Sequence, residues 1–574
     1  MKRLLLILTL IGPSIFAQNT GVFEDPILDQ VIKGQYDPST YADPNPITVP
    51  SVILQGIGSR IEPDSLFSYL EDLDDFETRN TASDTLSAVR GIGAARKYIL
   101  SKFEDFSGRE NNRLLTGFFR FDLNICGMGR HKNVVAILPG TDTANHQVVI
   151  IEGHYDSRCE TSCDTSCVAH GMEDNGSGTA LVMELARVMS HYTYPYTIVF
   201  MATTAEEQGL YGAYAFSGYC QTNNIPVKAV LNNDVIGGII CGKTSSPPSC
   251  PGEDDIDSTQ VRLFSRGGFN SPNKALCRFI KLEYLEELLP YSNVPMTLSL
   301  MTGEDRIGRG GDHIPFRVRG YPAMRFTSAN EHGDAGIGPN YTDRQHTTDD
   351  VLGVDTDNDN VIDSFYVDRN YLARNCAING VAAGVLALGP DQPTFSVAPD
   401  WNGIKVTVTD PMNYGTYRLG IRTTDLDFDT IITFSGSTAV LDPGVGGEVF
   451  FSLCAVDQNG LESLFDEELA LYNLGLEDQG SMVPTRVELL QNYPNPFDDA
   501  TIISFTSPNA RPGDIAEIRI TDLNGKLIKT LPVPIERGMN EVVYQHGYGV
   551  QGTFLYSLYI QDELISTKRM VFAY

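Results

Sequence analysis

Basic residues are scarce in this chain. Among 574 residues there are 42 lysines and arginines against 73 aspartates and glutamates, which gives a formal net charge of −31. A field of that sign repels phosphate backbones and anionic lipid surfaces, so we expect no nucleic-acid partner. Long apolar runs are also lacking. Beyond the N-terminus no stretch reaches the roughly 18 uninterrupted apolar residues that a membrane-spanning helix requires, and we expect no transmembrane segment.

The first residues follow the order of a secretory signal. Lys2 and Arg3 supply a positively charged start, Leu4 to Ile11 form an apolar run too short to span a bilayer, and Ala17 precedes a cleavage point. The alternative is a buried N-terminal strand. We expect residues 1–17 to be a signal peptide and the mature protein to be secreted or attached to the cell surface.

Export changes how the ten cysteines are interpreted. In an oxidising compartment, cysteines that lie close together form disulfides more often than zinc sites. The cysteines with close neighbours are Cys159, Cys163 and Cys167 in one loop and Cys241 and Cys250 around another. A metal site in the first loop is the alternative, and the pairing stays open. We expect Cys376 and Cys454 to be buried free thiols.

The length allows three or four domains at roughly 100–200 residues each. Residues 18–61 are rich in Pro, Asp and Thr, lack periodicity, and are predicted to be a leader or an extended arm. From residue 62 to 389 strands alternate with helices, which predicts an α/β domain with a mostly parallel central sheet flanked by helices. Its predicted strands are Asn133–Leu138, Gln147–Glu152, Tyr196–Thr203 and Val227–Leu231.

After Gly389 the pattern changes to short alternating segments separated by turn residues, which predicts two small all-β sandwich domains. The first covers residues 390–474. Its run from Ala455 to Ser463 resembles part of a fibronectin type III domain.

The second covers residues 489–574. It opens with Gln491-Asn492-Tyr493-Pro494-Asn495-Pro496-Phe497 and contains the hairpin signal Asn524-Gly525. This segment resembles the C-terminal sorting domain of proteins exported by the type IX secretion route. The resemblance implies type IX machinery as a partner and export across an outer membrane. An ordinary second β-sandwich is the alternative.

Polar residues follow three of the predicted strands and precede one helix. They are His154 and Asp156 after the second strand, Asp174 before the helix that begins near Ser177, Glu206 and Glu207 after the third strand, and Asp234 after the fourth. Ligands bind beyond the carboxyl ends of strands in open α/β sheets, so we expect these side chains to meet. Neighbouring carboxylates repel one another, and a divalent cation relieves that repulsion. Mixed histidine and carboxylate ligands suit zinc with an open position.

As an ordered set, the motifs resemble those of the co-catalytic zinc aminopeptidases, the family of bacterial leucyl aminopeptidase and aminopeptidase Y. The motifs are His154-Tyr155-Asp156-Ser157, Asp174-Asn175-Gly176-Ser177-Gly178, Glu206-Glu207-Gln208-Gly209-Leu210-Tyr211-Gly212, Asp234 and His346-Thr347. The resemblance extends from about residue 62 to 388. It implies the zinc exopeptidase fold and peptide substrates with a free N-terminus.

The resemblance also implies a role for each matching residue. The implied ligands of two zinc ions per chain are Asp174 as the bridge, His154 and Asp234 at one ion, and Glu207 and His346 at the other. Glu206 would be the general base and would not bind metal. Asp156 would orient the His154 imidazole through its carboxylate.

Three features depart from the pattern or leave it ambiguous. Gly311-Asp312-His313 stands where family members often have Ser-Asp-His. Arg306 and Arg309 precede it, where some members carry a tyrosine that assists the oxyanion. An arginine there could meet a substrate carboxylate or lie on the surface. His332 competes with His346 as the last ligand, and we expect His346 because it begins the family's last motif.

Different functions remain open on the sequence alone. A lone histidine or a capping aspartate often has only a structural role. The nearest enzymatic rival is a glutaminyl cyclase, which shares the fold, uses one zinc and places tryptophan in its pocket. The single tryptophan here, Trp401, falls in the predicted sandwich. A carboxypeptidase-like enzyme and a catalytically inactive surface-binding protein are two further candidates.

A second type of cation is suggested by alternating carboxylates at Asp355, Asp357, Asp359 and Asp363. Oxygens at such spacing can converge on calcium. However, Asn360 replaces the usual glycine and Tyr366 stands where a bidentate glutamate is expected. A solvated acidic loop is the alternative.

Overall fold

The structure is a computed structural model. It describes residues 21–241, 255–306, 309–329, 344–357, 359, 362–445 and 447–474, and in the C-terminal segment residues 487–492, 495, 497, 500–507, 515–523, 525–535, 538–545, 552–561 and 563–572. The predicted signal peptide lies outside these residues.

An α/β domain covers the described residues from 21 to 389. Its helices are α1 (Pro26–Ile32), α2 (Pro50–Arg60), α3 (Pro63–Asp74), α4 (Gly91–Arg109), α5 (Ser177–Met189), α6 (Tyr211–Thr222), α7 (Pro272–Glu283), α8 (His313–Arg317) and α9 (Arg369–Leu388). Its sheet strands are β1 (Val22–Phe23), β2 (Leu115–Ile125), β3 (Met128–Leu138), β4 (Val148–His154), β5 (Thr197–Thr203), β6 (Val227–Asn233), β7 (Gln260–Phe264), β8 (Thr297–Leu300) and β9 (Ala323–Ser328). A separate short hairpin consists of β10 (Gly353–Val354) and β11 (Ser364–Phe365).

The central sheet is mixed, whereas the sequence predicted a mostly parallel one. Its order is β1-β2-β3-β5-β4-β6-β9-β7-β8. The four central strands β5, β4, β6 and β9 are parallel. β2 and β3 are antiparallel because a tight turn joins them, with positive φ at both Cys126 and Gly127. Three of these four parallel central strands, β4, β5 and β6, end beside candidate ligands.

Both faces of the sheet are covered, which explains the nearly continuous apolar character of its central strands. All seven residues of β4 are buried. Val149 and Ile151 pack into the cluster that contains α5 and α9, and Val148 and Ile150 pack into the cluster that contains α1 and α6.

The residues before 62 are part of this domain, and the predicted extended arm is wrong for the described part. β1 pairs with β2, and α2 buries Ile53, Leu54 and Ile57 against the core. The close approach of α2 to α9 requires glycine, since a Cβ on Gly380 would lie 2.7 Å from the Ile57 side chain. Helix α2 is short and lies between proline-rich segments. Because its sequence shows no clear helical periodicity, the sequence pattern did not predict it.

Helix α9 is the one described helix that is long and apolar enough to cross a membrane. Its most apolar 18-residue window is 83% buried inside the protein. It lies against α2, α3 and α5 as a core helix of the α/β domain.

Two β-rich domains follow. The strands of the first are β12 (Thr394–Asp400), β13 (Gly403–Thr409), β14 (Thr416–Arg422), β15 (Thr430–Ser435), β16 (Thr438–Leu441), β17 (Gly447–Val456) and β18 (Leu469–Leu474). They form the antiparallel sheets β12-β13-β16 and β15-β14-β17-β18. The strands of the second are β19 (Glu488–Leu489), β20 (Ala500–Ser507), β21 (Ile515–Asp522), β22 (Leu527–Pro534), β23 (Gly538–Gln545), β24 (Gly552–Ile560) and β25 (Glu563–Phe572). They form the sheets β19-β20-β23 and β22-β21-β24-β25. The hairpin predicted around Asn524-Gly525 corresponds to β21 and β22, which pair antiparallel.

The first β-domain is joined to the α/β domain by buried charges. Glu468 accepts two hydrogen bonds from Arg422 of the same domain, at 2.6 and 2.7 Å. Its carboxylate also lies 3.4 Å from Arg278 of α7, and its backbone N–H donates to the side chain of Asn270. All three charged side chains are almost completely buried. The two domains therefore share a fixed polar interface.

Candidate metal centre

The candidate ligands lie at the carboxyl ends of the parallel strands. His154 is the last residue of β4, Asp234 directly follows β6, and Glu206 and Glu207 follow β5. Asp174 lies in the single turn Met172–Gly176 that precedes α5, and its peptide bond to the next residue is cis. The structure brings these side chains together as the strand order predicted.

Two groups of ligand atoms form around Asp174. We call these groups the first and the second position. In the first position, His154 Nε2 lies 3.2 Å from Asp174 Oδ1 and 3.3 Å from Asp234 Oδ1. In the second position, His346 Nε2 lies 2.9 Å from Asp174 Oδ2 and 3.2 Å from Glu207 Oε2. In each group the ligand atoms lie within 4.8 Å of one another. Asp174 thus offers one oxygen to each position, and His332 lies outside the described residues.

The chemistry of this donor set fits two divalent cations. Four carboxylates and two histidines share a largely buried site, and carboxylates at such distances repel one another unless a cation compensates them. Burial alone would lower the pKa of His154, yet the surrounding carboxylates, Glu206 first, hold it well above its usual value. Glu207 Oε1 is buried and has no hydrogen-bond partner among the described residues. Imidazole and carboxylate ligands in groups of three, with room for a further ligand, are typical of zinc.

A backbone carbonyl fixes the orientation of His154. Its Nδ1 lies 3.1 Å from the carbonyl oxygen of Asp156, which can only accept, so Nδ1 carries the proton and Nε2 presents its lone pair to the first position. The Asp156 carboxylate was predicted to orient the ring, but it lies 3.6 Å from Nδ1, beyond hydrogen-bond range. It instead accepts the backbone N–H groups of Glu206 and Glu207, each at 3.3 Å. Asp156 therefore positions His154 through its backbone and the two glutamates through its side chain.

Asp350 positions the shared ligand, a role that the sequence did not assign. Its two carboxylate oxygens accept the backbone N–H groups of Glu173 at 2.8 Å and Asp174 at 3.0 Å. Burial raises the pKa of Asp350 to about 7. The only signal in the sequence was its place four residues after His346, at the end of the last motif.

Glu206 is placed close to both groups without belonging to either. Its Oε2 lies 3.9 Å from His154 Nε2, and its side chain is 12% exposed. Burial raises the pKa of Glu206 well above its usual value; His154 lowers it, and Asp234 and Glu207 raise it further. A carboxyl group whose pKa is shifted towards neutrality can accept a proton and return it, which is what a general base requires.

Arginines surround the centre, and the sequence singled out only part of them. Arg325 Nη2 lies 3.2 Å from Asp234 Oδ2. Arg158 Nε donates to Glu207 Oε2 at 2.7 Å, and its Nη2 lies 2.7 Å from His346 Nδ1. A surface position was one alternative for Arg309. Its Nη1 instead lies 3.1 Å from Nδ1 of His346. Arg306 is buried.

Asp312 accepts a hydrogen bond from Thr203 at the end of β5.

The cysteine loop borders this centre. The disulfides among the described residues join Cys126 to Cys163 and Cys159 to Cys167, and Cys241 is also disulfide-bonded. Pairing with Cys126 was not predicted, because this cysteine is far from the loop in sequence. Cys250 lies outside the described residues. Cys376 and Cys454 are buried free thiols, as expected, and so are Cys220 and Cys277. The disulfides hold the backbone directly after Arg158.

The acidic loop brings together three of its four predicted calcium ligands. Oxygens of Asp355, Asp357 and Asp359 lie within 4.8 Å of one another. Asp363 instead accepts hydrogen bonds from the backbone N–H and the hydroxyl of Thr356, at 3.0 and 2.7 Å.

The family profile and the sequence relatives agree with this chemistry. The profile of peptidase family M28 matches residues 133–241, which include five of the six candidate ligand and base residues. A Leptosphaeria maculans protein named "Probable zinc metalloprotease" is 30% identical over 423 residues, covering 70% of this chain and 92% of that protein. Among solved structures, the Legionella pneumophila LapA aminopeptidase is 20% identical, with a TM-score of 0.40 and coverage of 58% of this chain and 73% of LapA. The Porphyromonas gingivalis glutaminyl cyclase is 15% identical, with a TM-score of 0.37 and coverage of 57% and 98%. The chain belongs to peptidase family M28 and is a zinc metallopeptidase.

Proposed function

We propose that this metallopeptidase is a secreted aminopeptidase that uses two zinc ions and a glutamate base. The observation that carries the proposal is the placement of Asp174, whose two oxygens point to two separate ligand groups. One group contains His154 and Asp234 and the other contains Glu207 and His346. A single-ion enzyme would not need the second group.

Bound zinc would lower the pKa of a water molecule and polarise the scissile carbonyl. Glu206 would accept the proton of that water and return it to the leaving amine. Its Oε2 lies 3.9 Å from His154 Nε2, and burial raises the pKa of Glu206 well above its usual value. The Asp156 carboxylate accepts a hydrogen bond from the backbone N–H of Glu206 and would thereby keep Glu206 in place.

A carboxypeptidase-like activity is the second candidate, and it is favoured by Arg158 and Arg309 beside His346. A guanidinium group there could bind a substrate carboxylate. A glutaminyl cyclase is less well supported, since Trp401 is fully exposed in the first β-domain. An inactive binding protein would have no use for a largely buried Glu206 next to two ligand groups.

Metal analysis and three substrates test the proposal. The purified protein should hold two zinc ions per chain, and removal by a chelator should abolish hydrolysis until zinc is restored. An aminoacyl chromogenic substrate with a free amino group should be cleaved, and its N-acetylated counterpart should not. Cleavage of an N-blocked peptide with a free carboxylate would instead support the carboxypeptidase. Conversion of an N-terminal glutamine to pyroglutamate without hydrolysis would support the cyclase.

Export is proposed from three further features. The N-terminal signal, the disulfides beside the centre and the type IX-like C-terminal segment are all consistent with a protein secreted or held at the cell surface. The three- and four-stranded sheets of residues 394–474 support a fibronectin type III-like domain. Fusion of residues 489–574 to a reporter should export it only in a bacterium that has the type IX machinery.

Calcium at the acidic loop is a separate proposal. Asp355, Asp357 and Asp359 already place oxygens near one another, and calcium would offset their repulsion. Millimolar calcium should raise the melting temperature of the protein and should not do so after Asp357→Asn. An unchanged melting temperature in the original protein would remove calcium from the proposal.

A further inference from the structure

The two metal positions differ in how an arginine contacts them. At the first position, Asp234 directs Oδ1 to His154 and Oδ2 to Arg325, so the ligand oxygen and the arginine-bound oxygen are different atoms. A cation and Arg325 can therefore bind Asp234 at the same time. This arginine acts as an anchor behind the ligand.

At the second position, the arginine contacts the ligand atom itself. Arg158 Nε donates to Glu207 Oε2 at 2.7 Å, and that same oxygen lies 3.2 Å from His346 Nε2. The other oxygen, Oε1, is buried without a hydrogen-bond partner among the described residues. The Glu207 oxygen that would bind a cation therefore already accepts a hydrogen bond from Arg158.

Two arginines contact the ring nitrogen of His346 that faces away from the ligand group. Guanidinium nitrogens can only donate, so Nδ1 of His346 must accept from Arg158 at 2.7 Å and from Arg309 at 3.1 Å. The proton of a neutral ring is then on Nε2, which faces Asp174 and Glu207. When Nε2 binds a cation, the proton moves to Nδ1, where it would point at two donors. His154 has the opposite tautomer, because its Nδ1 faces a carbonyl oxygen.

We propose that Arg158 is an internal cation that competes with the metal for the second position. Its guanidinium compensates the negative charge of the Glu207 carboxylate and donates a hydrogen bond to Nδ1 of His346 until a zinc ion displaces it. The side chain is 18% exposed at the rim of the centre, so it can rotate towards solvent while the disulfide-bonded loop holds its backbone. The proposal rests on the two-zinc function proposed above and adds a cause for unequal affinities at the two positions.

Metal titration of the full mature chain tests the competition. The protein is stripped with a chelator and titrated with zinc by calorimetry and with cobalt by visible absorption. Two binding steps are expected, the weaker one at the second position. A charge-assisted hydrogen bond that must be broken weakens binding by about 10- to 100-fold, so Arg158→Gln should tighten the weaker step by that factor. The tighter step should not change, because Arg158 does not contact His154 or Asp234.

Two further variants control for charge and geometry. Arg109→Gln removes an equal charge from an exposed ion pair with Asp105 on α4 and should leave both steps unchanged. Arg158→Lys keeps the charge but lacks the fork that reaches both partners, and should give an intermediate affinity. Circular dichroism and melting curves verify that each variant is folded. In a crystal structure with both ions bound, Arg158 Nε should no longer lie within hydrogen-bond distance of Glu207 Oε2.

Each result separates this proposal from the two-zinc function. An unchanged or weaker second step in Arg158→Gln would overturn the competition while leaving two zinc ions in place. A second ion bound only by the variant would support the competition and refute two zinc ions in the original protein. If neither protein binds a second ion, both proposals fail.

Discussion

Glu206 and Glu207 are adjacent in sequence, yet the same conservative change should affect them differently. Glu206→Gln removes the basic oxygen from a side chain whose Oε2 is 3.9 Å from His154 Nε2 and which belongs to neither ligand group. The backbone N–H that Asp156 accepts remains, so the loop should keep its conformation. Zinc content should equal that of the original protein. Loss of a positioned base lowers kcat by about 10²–10⁴-fold, which corresponds to roughly 3–5 kcal/mol of transition-state stabilisation.

Glu207→Gln is the matched comparison. Its Oε2 is one of the three ligand atoms that the described residues bring to the second position, so replacing the carboxylate by a neutral amide should lower zinc occupancy there along with activity. Added zinc should recover part of the activity of Glu207→Gln and none of the activity of Glu206→Gln. His154→Ala should lose zinc from the first position.

The assay combines elemental analysis of each purified variant with steady-state kinetics on an aminoacyl substrate at several zinc concentrations. The assignment is refuted if Glu206→Gln loses zinc while Glu207→Gln keeps it. The enzymatic reasoning as a whole is refuted if neither change alters hydrolysis.

Three other predictions concern the support of the centre and the domains. Asp350→Asn should lower zinc affinity or kcat/KM by about 10- to 100-fold, because an amide can accept only one of the two N–H groups that orient Asp174; unchanged metal content and kinetics would contradict this. Glu468→Ala leaves Arg422 and Arg278 buried without their carboxylate and should lower the free energy of unfolding by about 3–5 kcal/mol in urea titrations, whereas Arg109→Gln should not. A chain that ends after residue 474 should retain the kcat/KM of the full protein, since every candidate ligand lies before it, and loss of activity from a folded product would refute the domain division.

The sequence predicted the parts of the molecule that depend on local pattern. The parallel strands around His154 and Asp234 are continuous apolar runs, and their polar ends pointed to the candidate ligands. Arg158 and Asp350 were missed because their roles depend on contacts across 188 and 176 residues of sequence, which no local pattern encodes. The helices before residue 62 were missed for a related reason. α2 is short and is stabilised by packing against the distant helix α9, and α1 packs against the sheet strands β1, β2 and β3, contacts that local sequence does not show.

The distribution of the ligands along the chain has a consequence for synthesis. His154 emerges early, but His346 and Asp350, which complete the second position and orient Asp174, belong to a segment that is made nearly two hundred residues later. A growing chain shorter than about 350 residues therefore lacks part of the second ligand group and the carboxylate that orients Asp174. The two ligand groups around Asp174 are therefore complete only after more than half of the chain has been made.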